Sequence, residues 1–172
     1  MINIDVSRQA PKDQVMAAVE SYLSEVALGV ATHDFTRPWG GFFVIEEAQA
    51  DRFIQLFFPH LQAGELKIAG KLSPKILVVA PGQRLSWQYH HRRAEIWKLV
   101  GGMAGVVTSH TDEPGDLQRL GLGETLQLAQ GQRHRLVGLD GWGLIAEIWR
   151  HTDAHAPSDE NDIVRLQDDF GR

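Results

Sequence analysis

Pro81-Gly82-Gln83-Arg84-Leu85-Ser86-Trp87-Gln88-Tyr89-His90-His91-Arg92-Arg93-Ala94-Glu95 is the stretch on which the fold is decided. Pro-Gly predicts a turn, and the residues after it read as a strand. On a strand Gln88 and His90, two apart, point to one face, so two ligand atoms can converge from a single element. Glu95 follows five residues on, past a polar Arg92-Arg93 step that can turn the chain and return the carboxylate to that face. His91 must point the other way and reads as a surface residue. A fourth candidate, His134, ends the segment Gly123-Glu124-Thr125-Leu126-Gln127-Leu128-Ala129-Gln130-Gly131-Gln132-Arg133-His134. Imidazole, carboxylate and amide oxygen suit a borderline divalent cation, with positions left over for water or substrate oxygens. Cysteine is absent, so neither a thiolate metal site nor a disulfide framework is available.

Around this stretch the chain is rich in short apolar runs: Lys75 to Val79, Glu95 to Val100, Thr125 to Leu128 and Leu144 to Trp149. Between them stand turn signals at Pro81-Gly82, Gly101-Gly102, Pro114-Gly115, Gly121-x-Gly123 and Asp140-Gly141. Many short strands with close-spaced turns indicate a sandwich or barrel. Upstream, Val15, Ala18, Val19, Tyr22, Leu23 and Val26 stripe one face of a helix predicted over Pro11 to Leu28, with Pro11 suited to its first turn. A second helix is predicted from Asp51 to Phe58, stopped by Pro59. The tail after His151 is charged and weakly periodic, and by composition alone it reads as a surface segment or a disordered end.

The 172 residues suit one domain, and 43% hydrophobic content is enough for a sizeable core. A net charge of -5 offers no broad basic surface, so nucleic acid is not an expected partner. The N-terminus has no basic flank followed by an apolar run, and no segment approaches the ~18 apolar residues of a membrane span. The expectation is a soluble, cytoplasmic protein that does not engage a membrane.

The spacing Gly82-x5-Gln88-x-His90-x4-Glu95-x6-Gly102 resembles the first motif of the cupin superfamily, with Gln88 where many cupins place a histidine. Gly123-x5-Ala129-x-Gly131-x2-His134 is similar to the second motif, with Ala129 in place of the usual proline and Gly138 where asparagine is often found. The resemblance implies an all-β cupin double-stranded β-helix, a jelly-roll barrel, over residues 37–172, preceded by an N-terminal helical extension over residues 1–36. It also implies a metal set of Gln88, His90, Glu95 and His134. A Gln, His, Glu, His set is the one phosphomannose isomerases use for zinc. Arg37-Pro38-Trp39-Gly40, Pro81 to Gln88 with His91 to Trp97, and Asp162-Ile163-Val164-Arg165-Leu166-Gln167-Asp168-Asp169-Phe170-Gly171-Arg172 resemble the cupin domain of type II mannose-6-phosphate isomerases. In that family an acidic residue on the strand after the last histidine, and an Asp-x-x-Arg segment near the end, lie near the substrate. Glu147, Asp162 and Arg165 occupy the matching positions.

Other residues have plainer readings. Trp39, Trp87, Trp97, Trp142 and Trp149 could stack on a sugar ring, but aromatics on barrel strands are more often core. His33, His60, His110, His151 and His155 have no partner at ligand spacing and read as structural or solvated. Arg92 and Arg93 form a solvated turn or fork onto a phosphate, and Arg93, two residues before Glu95, is the preferred candidate. Lys75, on the strand entering the metal motif, is a weaker one.

The resemblance implies a metal-dependent aldose–ketose isomerase acting on a sugar phosphate, with mannose 6-phosphate to fructose 6-phosphate as the type reaction. One divalent ion is implied, zinc first, with iron, manganese or nickel as alternatives. Glu147 is the expected base and Arg165 the neutralising cation, with Arg93, Lys75 and Asp162 binding substrate. Competing readings are an isomerase of an unphosphorylated sugar such as lyxose or mannose, and a non-enzymatic metal-holding sugar-binding cupin. A homodimer paired through strand edges is the expected assembly.

Overall fold

The computed structural model describes residues 1–68 and 70–171, so Arg172 of the tail motif lies outside the described residues. In chain order the elements are α1 (Lys12–Glu25), β1 (Val30–Asp34), β2 (Gly40–Ile45), a 3-10 turn (Glu47–Gln49) running into α2 (Ala50–Phe57), and α3 (Ala63–Leu66). There follow β3 (Lys75–Val79), β4 (Trp87–Tyr89), β5 (Arg93–Ser109), β6 (Leu117–Arg119), β7 (Thr125–Leu128), β8 (Arg133–His151) and β9 (Val164–Gln167). The predicted helices are present, with Pro11 at the N-cap of α1 and not inside its first turn.

Two strands are longer than their apolar runs suggest. Gly101-Gly102 and Asp140-Gly141 are not turns, because β5 and β8 run straight through them, antiparallel from Arg93 opposite His151 to Ser109 opposite Arg133. The register slips between Leu99 and Gly101 and again between Gly102 and Ala104. Bulges of this kind bend a strand without ending it. Gly102 has φ of +66°, and a Cβ there would lie 1.9 Å from the Trp142 carbonyl oxygen; only glycine lets the two backbones approach at the bend.

The bend divides the ladder between two layers. The first half of β5 and the second half of β8 join β7, β3, β2 and β1; the second half of β5 and the first half of β8 join β6, β4 and β9. Residues of both layers meet in one interior, where Leu77, Trp97, Leu99 and Ile145 pack with Ala104, Val106 and Leu136. This is the expected jelly-roll barrel. At the other departure from the family motif, a Cβ on Gly138 would stand 1.9 Å from the Ala80 carbonyl. The glycine thus seats the Pro81-Gly82 turn against β8, through its own N–H donated to Gln83 O at 2.7 Å.

The middle of the first layer is buried on both faces, as the unbroken burial of β3 shows, while β1 at its edge is mostly exposed. Ile76, Val78, Leu144, Ala146, Ile148 and Ile96 point outward into a second core with Val15, Met16, Val19 and Leu23 of α1 and Phe53, Ile54 and Phe57 of α2. Residues 1–36 share this core. Ile2 N–H donates to Val100 O at 2.8 Å, Trp142 N–H to Val6 O at 2.9 Å, and β1 pairs with β2 from Val30 opposite Ile45 to Asp34 opposite Phe42. The neighbouring positions on the same strands, Lys75, Glu95, Trp97, Glu147 and Trp149, point inward, and they build the site.

Candidate metal centre and cavity

The strand that begins the site is shorter than expected, only Trp87–Tyr89, pinned between β8 and β9 through Gln88 opposite His134 and Arg165. His90 follows it directly, Glu95 lies near the start of β5, and His134 is the second residue of β8. All three are 2% exposed, and their ligand atoms lie within 4.8 Å of one another. His90 Nε2 is 3.1 Å from Glu95 Oε1, and His134 Nε2 is 3.3 Å from Glu95 Oε2. Gln88 stands half-buried beside them and accepts a hydrogen bond from Ser86 Oγ at 2.5 Å.

Hydrogen bonds decide the tautomers. His90 Nδ1 is 2.6 Å from Asp162 O, and His134 Nδ1 is 2.9 Å from Gln132 O. A carbonyl can only accept, so both Nδ1 atoms carry a proton and both Nε2 atoms are turned toward the carboxylate. Three ligand groups aimed at one point suit a cation. Arg93 supplies part of it, donating from Nε to Glu95 Oε1 at 2.8 Å and from Nη2 to His90 Nε2 at 3.1 Å. His134 Nε2 lies 3.3 Å from Glu95 Oε2 but, among the described residues, is buried without a hydrogen bond, which is unfavourable unless something electron-poor meets it. The donor set and this orphaned nitrogen fit a divalent metal ion. Burial works to raise the Glu95 carboxyl, but His90, Arg93 and His134 around it hold it well below the usual carboxylate range.

Glu147 sits deeper on the same face, opposite Lys75 on one side and Trp97 on the other. Trp97 Nε1 donates both to Glu147 Oε1 at 2.9 Å and to Glu95 Oε2 at 3.1 Å, so the two carboxylates flank one indole N–H. Burial, then the charge of Glu95, push the Glu147 carboxyl up to about 7, against the pull of Lys75 and Arg93. Two buried carboxyls on one sheet face are thus driven in opposite directions.

Glu95 and Glu147 line one cavity together with Gln88, Lys75, Arg93, Arg165, Arg37 and Trp97. Lys75, 4% exposed, lies 3.9 Å from the Trp149 ring centroid, and the Arg93 guanidinium lies 3.6 Å from the same ring. Arg93 is therefore no solvated turn. All five tryptophans are buried as expected, yet Trp39, Trp97 and Trp149 also face this cavity. Of the histidines without a partner at ligand spacing, His151 is fully buried, accepting Ser158 N–H at Nδ1; His91, beside His90, is exposed as expected.

The tail after His151 is largely exposed, as expected of a surface segment, yet it is anchored to the site by buried residues. Asp162, 6% exposed, accepts the backbone N–H groups of His91 and Arg92 at 3.0 and 2.9 Å and the Ser158 hydroxyl at 2.6 Å. Both carboxylate oxygens are thereby engaged by the protein, while its carbonyl holds His90. Asp162 orients the segment that carries the candidate ligand His90 and is not among the residues lining the cavity. Ser158, fully buried, links Asp162 to Arg93 Nη1 at 2.9 Å. No sequence pattern marked Ser158. Glu160, which pairs with Lys75, lies just outside the matched Asp162 to Arg172 run.

Comparison with known proteins agrees with this architecture. The family model described as mannose-6-phosphate isomerase C-terminal matches residues 52–168. The chain is 29% identical over 135 residues to mannose-1-phosphate guanylyltransferase of Escherichia coli (strain K12), covering 75% of this chain and 27% of that protein. It is 30% identical over 136 residues to mannose-1-phosphate guanylyltransferase ManC of Salmonella typhimurium, covering 79% and 22%. Against alginate biosynthesis protein AlgA of Pseudomonas aeruginosa it is 29% identical over 125 residues, covering 73% and 24%. The chain spans about a quarter of the length of these relatives. Among solved structures, an oxalate decarboxylase variant from Bacillus subtilis superposes with a TM-score of 0.56 at 15% identity, over 81% of this chain and 32% of that one. Recombinant oxalate oxidase in complex with glycolate gives 0.51 at 16% identity, over 77% and 58%. At such identities the likeness shows the cupin fold alone.

Proposed function

The chain belongs to the mannose-6-phosphate isomerase C-terminal family, and on that premise we propose that it is a metal-dependent aldose–ketose isomerase acting on a sugar phosphate, with mannose 6-phosphate to fructose 6-phosphate as its type reaction. The observation that carries this reading is Glu147: a buried cavity-wall carboxyl on the same sheet face as the candidate ligand Glu95, one indole away from it, and pushed up to about 7 by burial and the charge of Glu95.

Gln88, His90, Glu95 and His134 would hold the metal, zinc in the first instance. Bound there, it would polarise the sugar's carbonyl and hydroxyl oxygens and stabilise the negative charge that develops on them. Isomerisation moves a proton from C2 of the aldose to C1 of the ketose, with a matching shift of the hydroxyl proton from O2 to O1. Ionised Glu147 takes the carbon-bound proton and returns it to the adjacent carbon, a task for which a carboxyl near pH 7 is well matched. Trp97 Nε1 orients it. Arg93 holds Glu95 and His90 in place, and Arg165 at the rim offers charge to the substrate's anionic group. Residues 37–172 are taken as the isomerase unit, working in the cytoplasm as a homodimer, with residues 1–36 covering its outer sheet face.

The pairing of Lys75 with Glu160 supports a second reading, an isomerase of an unphosphorylated sugar such as lyxose or mannose, since that cation already has a carboxylate. Mixing the protein with mannose 6-phosphate and following fructose 6-phosphate tests the proposal; turnover should vanish with a chelator and return with zinc. Turnover of free mannose or lyxose alone would favour the second reading. Saturable binding without any turnover would overturn both in favour of a sugar-binding cupin.

A further inference from the structure

Lys75 is a buried cation on the cavity wall. Its side chain is 6% exposed, whereas that of its partner Glu160 is 69% exposed. The ammonium also faces two aromatic rings, Trp149 at 3.9 Å and Phe42 at 5.6 Å. A buried ammonium loses most of its hydration and must be compensated by an anion or by ring faces. Glu160 retains most of its own hydration and sits in the irregular segment between β8 and β9. The pair is thus asymmetric: Lys75 needs an anion there, and Glu160 gives up little by leaving.

The surrounding charge points the same way. Arg37, Lys75, Arg93 and Arg165 line the cavity against Glu95, Glu147 and Glu160. Arg93 is committed to Glu95 and His90. With Glu160 withdrawn, the mouth carries Arg37, Lys75 and Arg165, while the remaining carboxylates lie with the metal ligands and the base. Arg37 in turn touches Asp34 at 2.8 Å and lies 5.7 Å from the Phe42 ring that Lys75 also faces.

We propose that Lys75 is the centre of an anion subsite in which the Glu160 carboxylate stands where the phosphoryl group of a ligand binds, so that Glu160 is a displaceable internal ligand that weakens phosphate binding. This rests on the sugar-phosphate reading above and names the part of the cavity that takes the phosphate. A phosphoryl group carries more charge than one carboxylate and three acceptor oxygens, so it can replace Glu160 on Lys75 and still reach Arg37 or Arg165. A neutral sugar cannot, and Glu160 then stays in place.

Calorimetric titration of the metal-containing protein with inorganic phosphate tests this without turnover. Glu160→Gln keeps the side chain's size and exposure while removing its charge, and it should bind phosphate roughly fivefold more tightly, the scale of one lost partly exposed ion pair. Lys75→Met should bind phosphate more weakly than the unaltered protein, and adding Glu160→Gln to it should restore nothing. Unchanged phosphate affinity in Glu160→Gln would overturn the inference, as would an equal gain with and without Lys75. Phosphate settling on the metal instead would be indifferent to both substitutions and would overturn it too. If the titrations behave as expected while no sugar phosphate is isomerised, the subsite stands and the isomerase reading falls; the reverse pattern removes the subsite alone.

Discussion

The two faces of the layer formed by β3, β5 and β8 share the same backbone and differ in almost everything else. Along β8, Leu144, Ala146 and Ile148 face α1 and α2, whereas Ile145, Glu147 and Trp149 face the barrel interior. Outward, the packing of these side chains is apolar and non-directional, and its worth scales with area removed from water. Inward, buried Glu95, Glu147, Lys75, Arg93, His90 and His134 are held by hydrogen bonds whose donors and acceptors are individually assigned, and none can change without stranding another. The outer face keeps water away from strands that the inner face loads with charge. A sheet buried on both sides is what allows six ionisable groups to be concentrated in one wall.

If that division of labour holds, substitutions on the two faces should fail in different ways. The largest effect is expected for His134→Ala, which leaves the outer core untouched. Metal content measured on the purified protein should be lost, and with it essentially all isomerase activity, while the chelated protein melts close to the unaltered one. Retained metal at full stoichiometry would break the assignment. Next comes Glu147→Gln, expected to lower kcat by about 10²- to 10⁴-fold with metal content unchanged. Full activity in that variant would remove Glu147 from the mechanism.

Leu23→Ala is the outer-face counterpart. Leu23 is fully buried in α1, and its truncation should reduce unfolding free energy by about 3 kcal/mol in denaturant titration without altering metal content. A parallel loss of metal would show the two faces to be coupled more tightly than the packing suggests.

The smallest effect is a pH slope. The folded Glu147 carboxyl is raised from 4.5 to about 7, so between those values the folded state holds a proton that the unfolded state has released. Its contribution is therefore complete below about pH 4.5 and is lost as pH rises toward 7, at roughly 1 kcal/mol per unit. Melting curves of chelated protein should show this decline, and Glu147→Gln should flatten it. Activity of the metal-containing protein should run the opposite way, rising with pH as Glu147 ionises.

Much of this was legible in advance where the requirement is local. Gln88 and His90 declare their shared face through a spacing of two, and the apolar stripe from Val15 to Leu23 declares α1. Gly101-Gly102 and Asp140-Gly141 misled because a glycine pair signals backbone freedom, and a bulge between two sheet layers uses that freedom as readily as a turn does. The tail misled in part, for a related reason. Its charges look like a solvated end until Asp162 is seen capping the N–H groups of His91 and Arg92, some seventy residues away in the chain.

The sequence by itself determined the barrel, the candidate ligand residues and the placement of Glu147 after the last histidine, because ligand chemistry and strand periodicity are properties of residue type and short spacing. Only the tertiary structure decided the orientation of the two imidazoles, the commitment of Arg93 to Glu95, the raised carboxyl of Glu147 and the pairing of Lys75 with Glu160. Each of those depends on distance between groups far apart in the chain and on how much water remains between them. The stretch from Pro81 to Glu95 names most of the atoms that can meet at one point; the bend at Gly102, the turn seated on Gly138 and the tail that returns to hold His90 bring them there.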